Sequence, residues 1–135
     1  MSPVYAIGPK ALIDDLEKIK FSTNPYNLDR LTLKLGEATV DAEEYYRAMC
    51  GEIIRVRTWT AKELKALGFA VIDSRANFLF AKSDKMGGGE LYDALKSRGI
   101  LVRHFSSPRI KDYIRITIGT AEQMQTFVEK LKEIL

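Results

Sequence analysis

The sequence predicts an α/β domain of the sandwich type, with a mostly antiparallel sheet, helices on one face and a long inter-domain helix ahead of it. Two observations carry this expectation. From Phe69 onward, short runs of strand character interleave with runs of helical spacing in the order β-β-α-β-β-α. From Leu28 to Leu67 the pattern is almost wholly helical, an unusual opening for a compact domain and one that suits an arm crossing between domains.

Each element has its own signal. Pro9 suits the first turn of a helix over 9–20, in which Leu12, Ile13, Leu16 and Ile19 follow helical spacing. The stretch from Phe21 to Asn27 breaks that helix, because Asn24 precedes Pro25 and is steered toward an extended or turn conformation. Asn27 is placed to cap a helix starting at Leu28, and Gly36 predicts a bend. Asp41, followed by Glu43 and Glu44, opens a new capped segment that stops at Gly68. Phe69–Ile72 and Asn77–Phe80 read as strands around a turn. Residues 85–89 form a loop, and an amphipathic helix follows from Glu90 to Arg98, with Leu91 and Leu95 inward and Gly99 as its stop. Ile100–Arg103 and Tyr113–Ile118 are strands. Thr120 and Gln123 form a capping box for a last helix, whose buried stripe is Met124, Phe127, Val128, Leu131 and Ile134.

The bulk numbers narrow the function classes. With 135 residues, 46% hydrophobic and 29% charged, the chain is long enough for one domain with a real core. The net charge of +3 is mild and the charges are interleaved, which argues against a nucleic-acid stripe. No apolar run approaches the roughly 20 residues that span a bilayer, and the first residues lack a basic region followed by an apolar one, so a cytoplasmic setting is expected. One histidine and one cysteine leave no dedicated metal site. Cys50 lies in a helical pattern and is expected to be a small core residue.

The chemistry-bearing residues cluster near the C-terminus. In the last strand Ile114, Ile116 and Ile118 share one face, and Tyr113, Arg115 and Thr117 share the other. The isoleucines must face the helices, so Arg115 points off the uncovered face. Arg103, at the end of the preceding strand, lies across the hairpin. Arginine grips carboxylate or phosphate with two parallel hydrogen bonds, so this pair reads either as an anion clamp or as two surface arginines. His104 reads as a loop residue beside that site. The three glycines at 87–89 read as a flexible loop, since they lack the spacing and lysine of a phosphate loop. Tyr45, Tyr46 and Trp59 read as packing residues, whereas Tyr26 sits in a linker, a common place for ligand contacts.

In order, Tyr5-Ala-Ile-Gly8, Pro25-Tyr-Asn27, Leu67-Gly-Phe69, Ser74-Arg-Ala-Asn-Phe78, Arg98-Gly-Ile-Leu-Val-Arg103 and Ile114-Arg-Ile-Thr-Ile-Gly-Thr120 resemble the C-terminal part of the histidinol-phosphate aminotransferases. These are fold type I enzymes dependent on pyridoxal 5′-phosphate. The resemblance implies a parent that moves an amino group between glutamate and imidazole-acetol phosphate in histidine biosynthesis, as a homodimer. It implies substrate contacts for Arg115 (the α-carboxylate or the phosphate that replaces it), Arg103 (the phosphate) and Tyr26. It also implies that residues 1–20 are a remnant of the large cofactor-binding domain and that 21–135 are the small domain with its connecting helices. The family's Schiff-base lysine, its cofactor-phosphate arginine and the acid that pairs with the pyridine nitrogen lie upstream of Tyr5. Neither Lys10, Lys18 nor Lys34 has the lysine's context. No bound cofactor and no turnover are therefore expected of this chain alone. Threonine-phosphate decarboxylases and aromatic aminotransferases share the scaffold, and a non-catalytic module that binds anions or a partner is the reading from another class.

Overall fold

The computed structural model describes residues 6–26 and 28–135. The chain divides into two units, Met1–Tyr46 and Arg47–Leu135.

The first unit holds α1 (Lys10–Thr23) and α2 (Arg30–Asp41), and α3 (Glu43–Ala66) starts within it. Pro9 is the N-cap of α1 rather than a residue of its first turn. The helix runs three residues past the expected end. In its last turn the Ser22 and Thr23 hydroxyls donate back to the carbonyls of Lys18 and Ile19, one turn earlier. Asn27 lies outside the described residues. The cap of α2 is Asp29, whose Oδ1 accepts from the Thr32 amide at 2.8 Å and whose Oδ2 accepts from the Thr32 hydroxyl at 2.7 Å. Near Gly36, where the sequence predicts a bend, α2 runs on without a break, because a single glycine costs only about 1 kcal/mol of helix propensity. The chain breaks instead at Ala42, whose amide bonds to the Ala38 carbonyl, and Asp41 closes α2 rather than opening α3. None of the described residues of this unit is buried.

The hydrogen bonds from Thr32 hold the Asp29 carboxyl below its ordinary value of 3.8. A depressed carboxyl stabilises the fold above the unfolded value, and that contribution is lost as pH falls through the folded one. We therefore expect the helical circular dichroism of the wild type to drop below about pH 4, and the drop to be smaller in Asp29→Asn, which keeps a capping oxygen but does not titrate.

In the second unit the C-terminal part of α3 leads into β1 (Phe69–Ile72), β2 (Phe78–Ser83), α4 (Gly88–Ser97), β3 (Arg103–His104), β4 (Ile114–Thr117) and α5 (Ala121–Ile134). The sheet order is β1-β2-β4-β3 and every pairing is antiparallel. The order of elements is the expected one. The core lies on one face of the sheet, where Leu79, Ala81, Ile114 and Ile116 meet Val56 and Leu64 of α3, Leu91 and Leu95 of α4, and Met124, Phe127, Val128 and Leu131 of α5.

The expected strand over 100–103 shrinks to two residues. The Gly99 amide bonds to Lys96 O and the Ile100 amide to Leu95 O, both at 3.0 Å, and Gly99 takes φ +79°. This is the Schellman close of α4, and it commits residue 100 to the helix exit before pairing can begin. Residues 88 and 89, expected in a loop, form the first turn of α4. Cys50 is exposed, not in the core. The buried stripe of α3 is Val56, Thr60 and Leu64, and Cys50 precedes it. Tyr45 and Tyr46 are also exposed, edge to face with each other at 5.3 Å, whereas Trp59 packs against the core as expected.

Candidate anion-binding site

The sheet's other face is where the sequence places its arginines. By register, Phe78, Phe80 and Lys82 of β2 share it with Arg103 of β3 and with Arg115 and Thr117 of β4. Arg103 and Arg115 are direct cross-strand partners, so their Cα atoms lie about 5 Å apart. Arg115 thus occupies the middle of a strand, and Arg103 begins its strand rather than ending one.

Each guanidinium has an aromatic seat. The Cζ of Arg115 stands 5.3 Å from the centre of the Phe78 ring, and that of Arg103 5.1 Å from the Phe105 ring. Phe80 extends the Arg103 seat into a shelf, stacked on Tyr113 at 4.7 Å and edge-on to Phe105 at 5.9 Å. Lys82 adds a third cation, 5.6 Å from the Tyr113 ring centre. The Arg115 Nε is buried with no hydrogen-bond partner among the described residues. A buried unpaired donor costs about 1–3 kcal/mol, more when charged, so the Arg115 Nε is an uncompensated group at this face. Sequence reasoning found the arginines through strand alternation. It missed Phe78, Phe80, Phe105 and Lys82, although the same alternation places Phe78, Phe80 and Lys82 beside Arg115.

His104 faces away from the pair. It shares the core side with its register partner Ile114, and its Nε2–H donates to the Lys111 carbonyl at 2.7 Å. It therefore ties down the β3–β4 loop and does not sit beside the arginines. The glycine run has a packing role at Gly88, where an added Cβ would meet the Lys111 oxygen at 2.6 Å and the Asp112 carbonyl carbon at 2.7 Å. Ser74 organises the β1–β2 turn by donating to Phe78 O and accepting from the Ala76 amide. Tyr26 belongs to the first unit, where its ring is 90% exposed. The structure brings Arg103 and Arg115 together. Tyr26 is described in its own unit. Among the described residues no group of three or more His, Cys, Asp or Glu could hold a metal ion, and no helix is long and apolar enough to cross a membrane.

A family model described as aminotransferase class I and II matches residues 5–131. The chain belongs to this aminotransferase family. Among its curated relatives, the histidinol-phosphate aminotransferase of Marinomonas sp. (strain MWYL1) is 44% identical over 96% of the chain and 37% of the relative's length. That of Brachyspira hyodysenteriae is 43% identical over 97% of the chain and 37% of its length. The aminotransferase fold is matched by the crystal structure of the Clostridium acetobutylicum histidinol-phosphate aminotransferase, with TM-score 0.80 and 23% identity over 90% of the chain and 37% of that protein. The chain thus spans about 37% of the length of these aminotransferases.

Proposed function

We propose that this chain is the substrate-anion-binding part of a histidinol-phosphate aminotransferase, an enzyme that exchanges an amino group between glutamate and imidazole-acetol phosphate. The observation that carries the reading is the cross-strand pair Arg103 and Arg115, and the buried Arg115 Nε without a partner among the described residues supports it. A phosphate monoester offers three acceptor oxygens and up to two charges, which two guanidiniums match better than one. Arg115 takes the α-carboxylate or phosphate and Arg103 the phosphate. In the parent, Tyr26 is a further substrate contact. Residues 1–20 belong to the large domain and 21–135 to the small one. The parent is a cytoplasmic homodimer that uses pyridoxal 5′-phosphate.

The residues on this face do not fit that cofactor by themselves. A Schiff-base lysine reacts when desolvated or set beside another cation, and Lys82, the lysine of this sheet face, is exposed. The acid that the resemblance pairs with the pyridine nitrogen has no counterpart among the sheet residues on this face. The face is open, whereas small-molecule sites are concave. It makes one wall of a site, and the reading assigns the covalent chemistry to the part of the family fold that precedes residue 5.

A chimera tests this reading. Joining the preceding part of the Brachyspira relative to this chain is expected to yield transamination of imidazole-acetol phosphate by glutamate, lost on Arg115→Ala. A folded, cofactor-loaded chimera that uses only unphosphorylated substrates would refute it.

A further inference from the structure

We propose that Phe105 is a positioning residue that holds the Arg103 guanidinium ready for the second charge of a dianionic ligand, so that this ring sets the preference for phosphate over a single carboxylate. The inference rests on the anion-binding reading above and deepens it. Arg103 and Arg115 are like charges in direct cross-strand register, an arrangement that is destabilising unless something holds the groups. Arg115 is half-buried and seated on Phe78, so its place is fixed by the sheet. Arg103 is exposed, on a long flexible stem, and its contact is with the Phe105 ring at 5.1 Å.

Phe105 is itself held. It is half-buried, with its ring at 78° to Phe80, whose other side stacks on Tyr113. The bond from His104 to Lys111 O fixes the backbone between Arg103 and Phe105. A carboxylate is satisfied by one bidentate guanidinium, and Arg115 supplies it. A phosphate dianion has acceptors left over for Arg103, but only when that group already points at them. The ring removes the cost of ordering Arg103 on binding, so its effect falls on phosphate alone.

The test is an NMR titration of the ¹⁵N-labelled chain with inorganic phosphate and, separately, with acetate. Phe105→Leu and Phe105→Met keep apolar bulk and remove the ring. Either is expected to weaken phosphate binding about three- to fivefold, the size of an exposed cation–π contact, and to leave acetate within about twofold. Phe105→Tyr restores the wild-type ratio. Phe78→Leu removes the ring under Arg115 instead, and is expected to lower phosphate and acetate binding alike. Loss of acetate binding in step with phosphate in the Phe105 variants would mean a merely structural ring and overturn the proposal. So would Phe105 variants that bind phosphate like the wild type. A wild type that binds no phosphate overturns the anion-binding reading itself, and this proposal with it.

Discussion

Gly88→Ala is expected to destabilise the second unit by about 1–3 kcal/mol, the usual cost of overpacking, and to weaken anion binding at a site it does not touch. On propensity alone the change should help, since alanine is favoured over glycine in a helix by up to about 1 kcal/mol. The added Cβ decides the sign. It would lie 2.6 Å from the Lys111 oxygen and 2.9 Å from the Asp112 oxygen, and these are backbone atoms with no side-chain freedom to yield. The segment that must shift is the one His104 anchors, and it runs through Tyr113 into β4 and Arg115. Gly87→Ala is the matched control, because nothing lies within 4 Å of a Cβ there, and it is expected to be neutral. Urea denaturation of the two variants checks the stability, and a phosphate titration checks the coupling to the arginines. Equal midpoints would show that the 111–112 segment yields freely.

Arg115→Ala carries the largest expected loss of binding. Hydrogen bonds to a charged partner contribute about 1.5–3 kcal/mol each, so losing a bidentate grip should weaken phosphate by at least tenfold. Stability should change by less than about 1 kcal/mol. The variant loses the contact with Phe78 but also removes a buried Nε–H that has no partner among the described residues. A functional side chain and a structural one separate here. Binding falls while the melting midpoint stays, whereas a core substitution such as Phe127→Ala, at a residue 3% exposed, should cost about 3–5 kcal/mol.

The contrast between the two units explains what was legible in the sequence. In the second unit, local pattern and tertiary packing agree. Alternation through Ile114, Ile116 and Ile118 fixed the inward face, and with it the direction of Arg115. Thr120 and Gln123 form the capping box their spacing promises. The strand over 100–103 was not legible, because an apolar run there fits a strand and a Schellman exit equally well, and only the close of α4 decides between them. Gly88 was not legible either. Its reason is the backbone of Lys111 and Asp112, more than twenty residues away. In α3, helical periodicity identifies the helix but not the turn at which burial begins, so Cys50 and Val56 look alike in sequence and differ in exposure. The arginine pair was legible as a pair. The aromatic shelf under it was less so, because Phe105 meets Phe80 and Arg103 only once the hairpin is folded.

The central claim is that Arg103 and Arg115 act together on a doubly anionic ligand. Calorimetric titration of histidinol phosphate into the wild-type chain, Arg103→Ala and Arg115→Ala tests it most directly. The account predicts measurable binding by the wild type and a loss of at least about tenfold in each variant, given the strength of charge-assisted bonds. Equal binding by all three proteins, or none by the wild type, would contradict it.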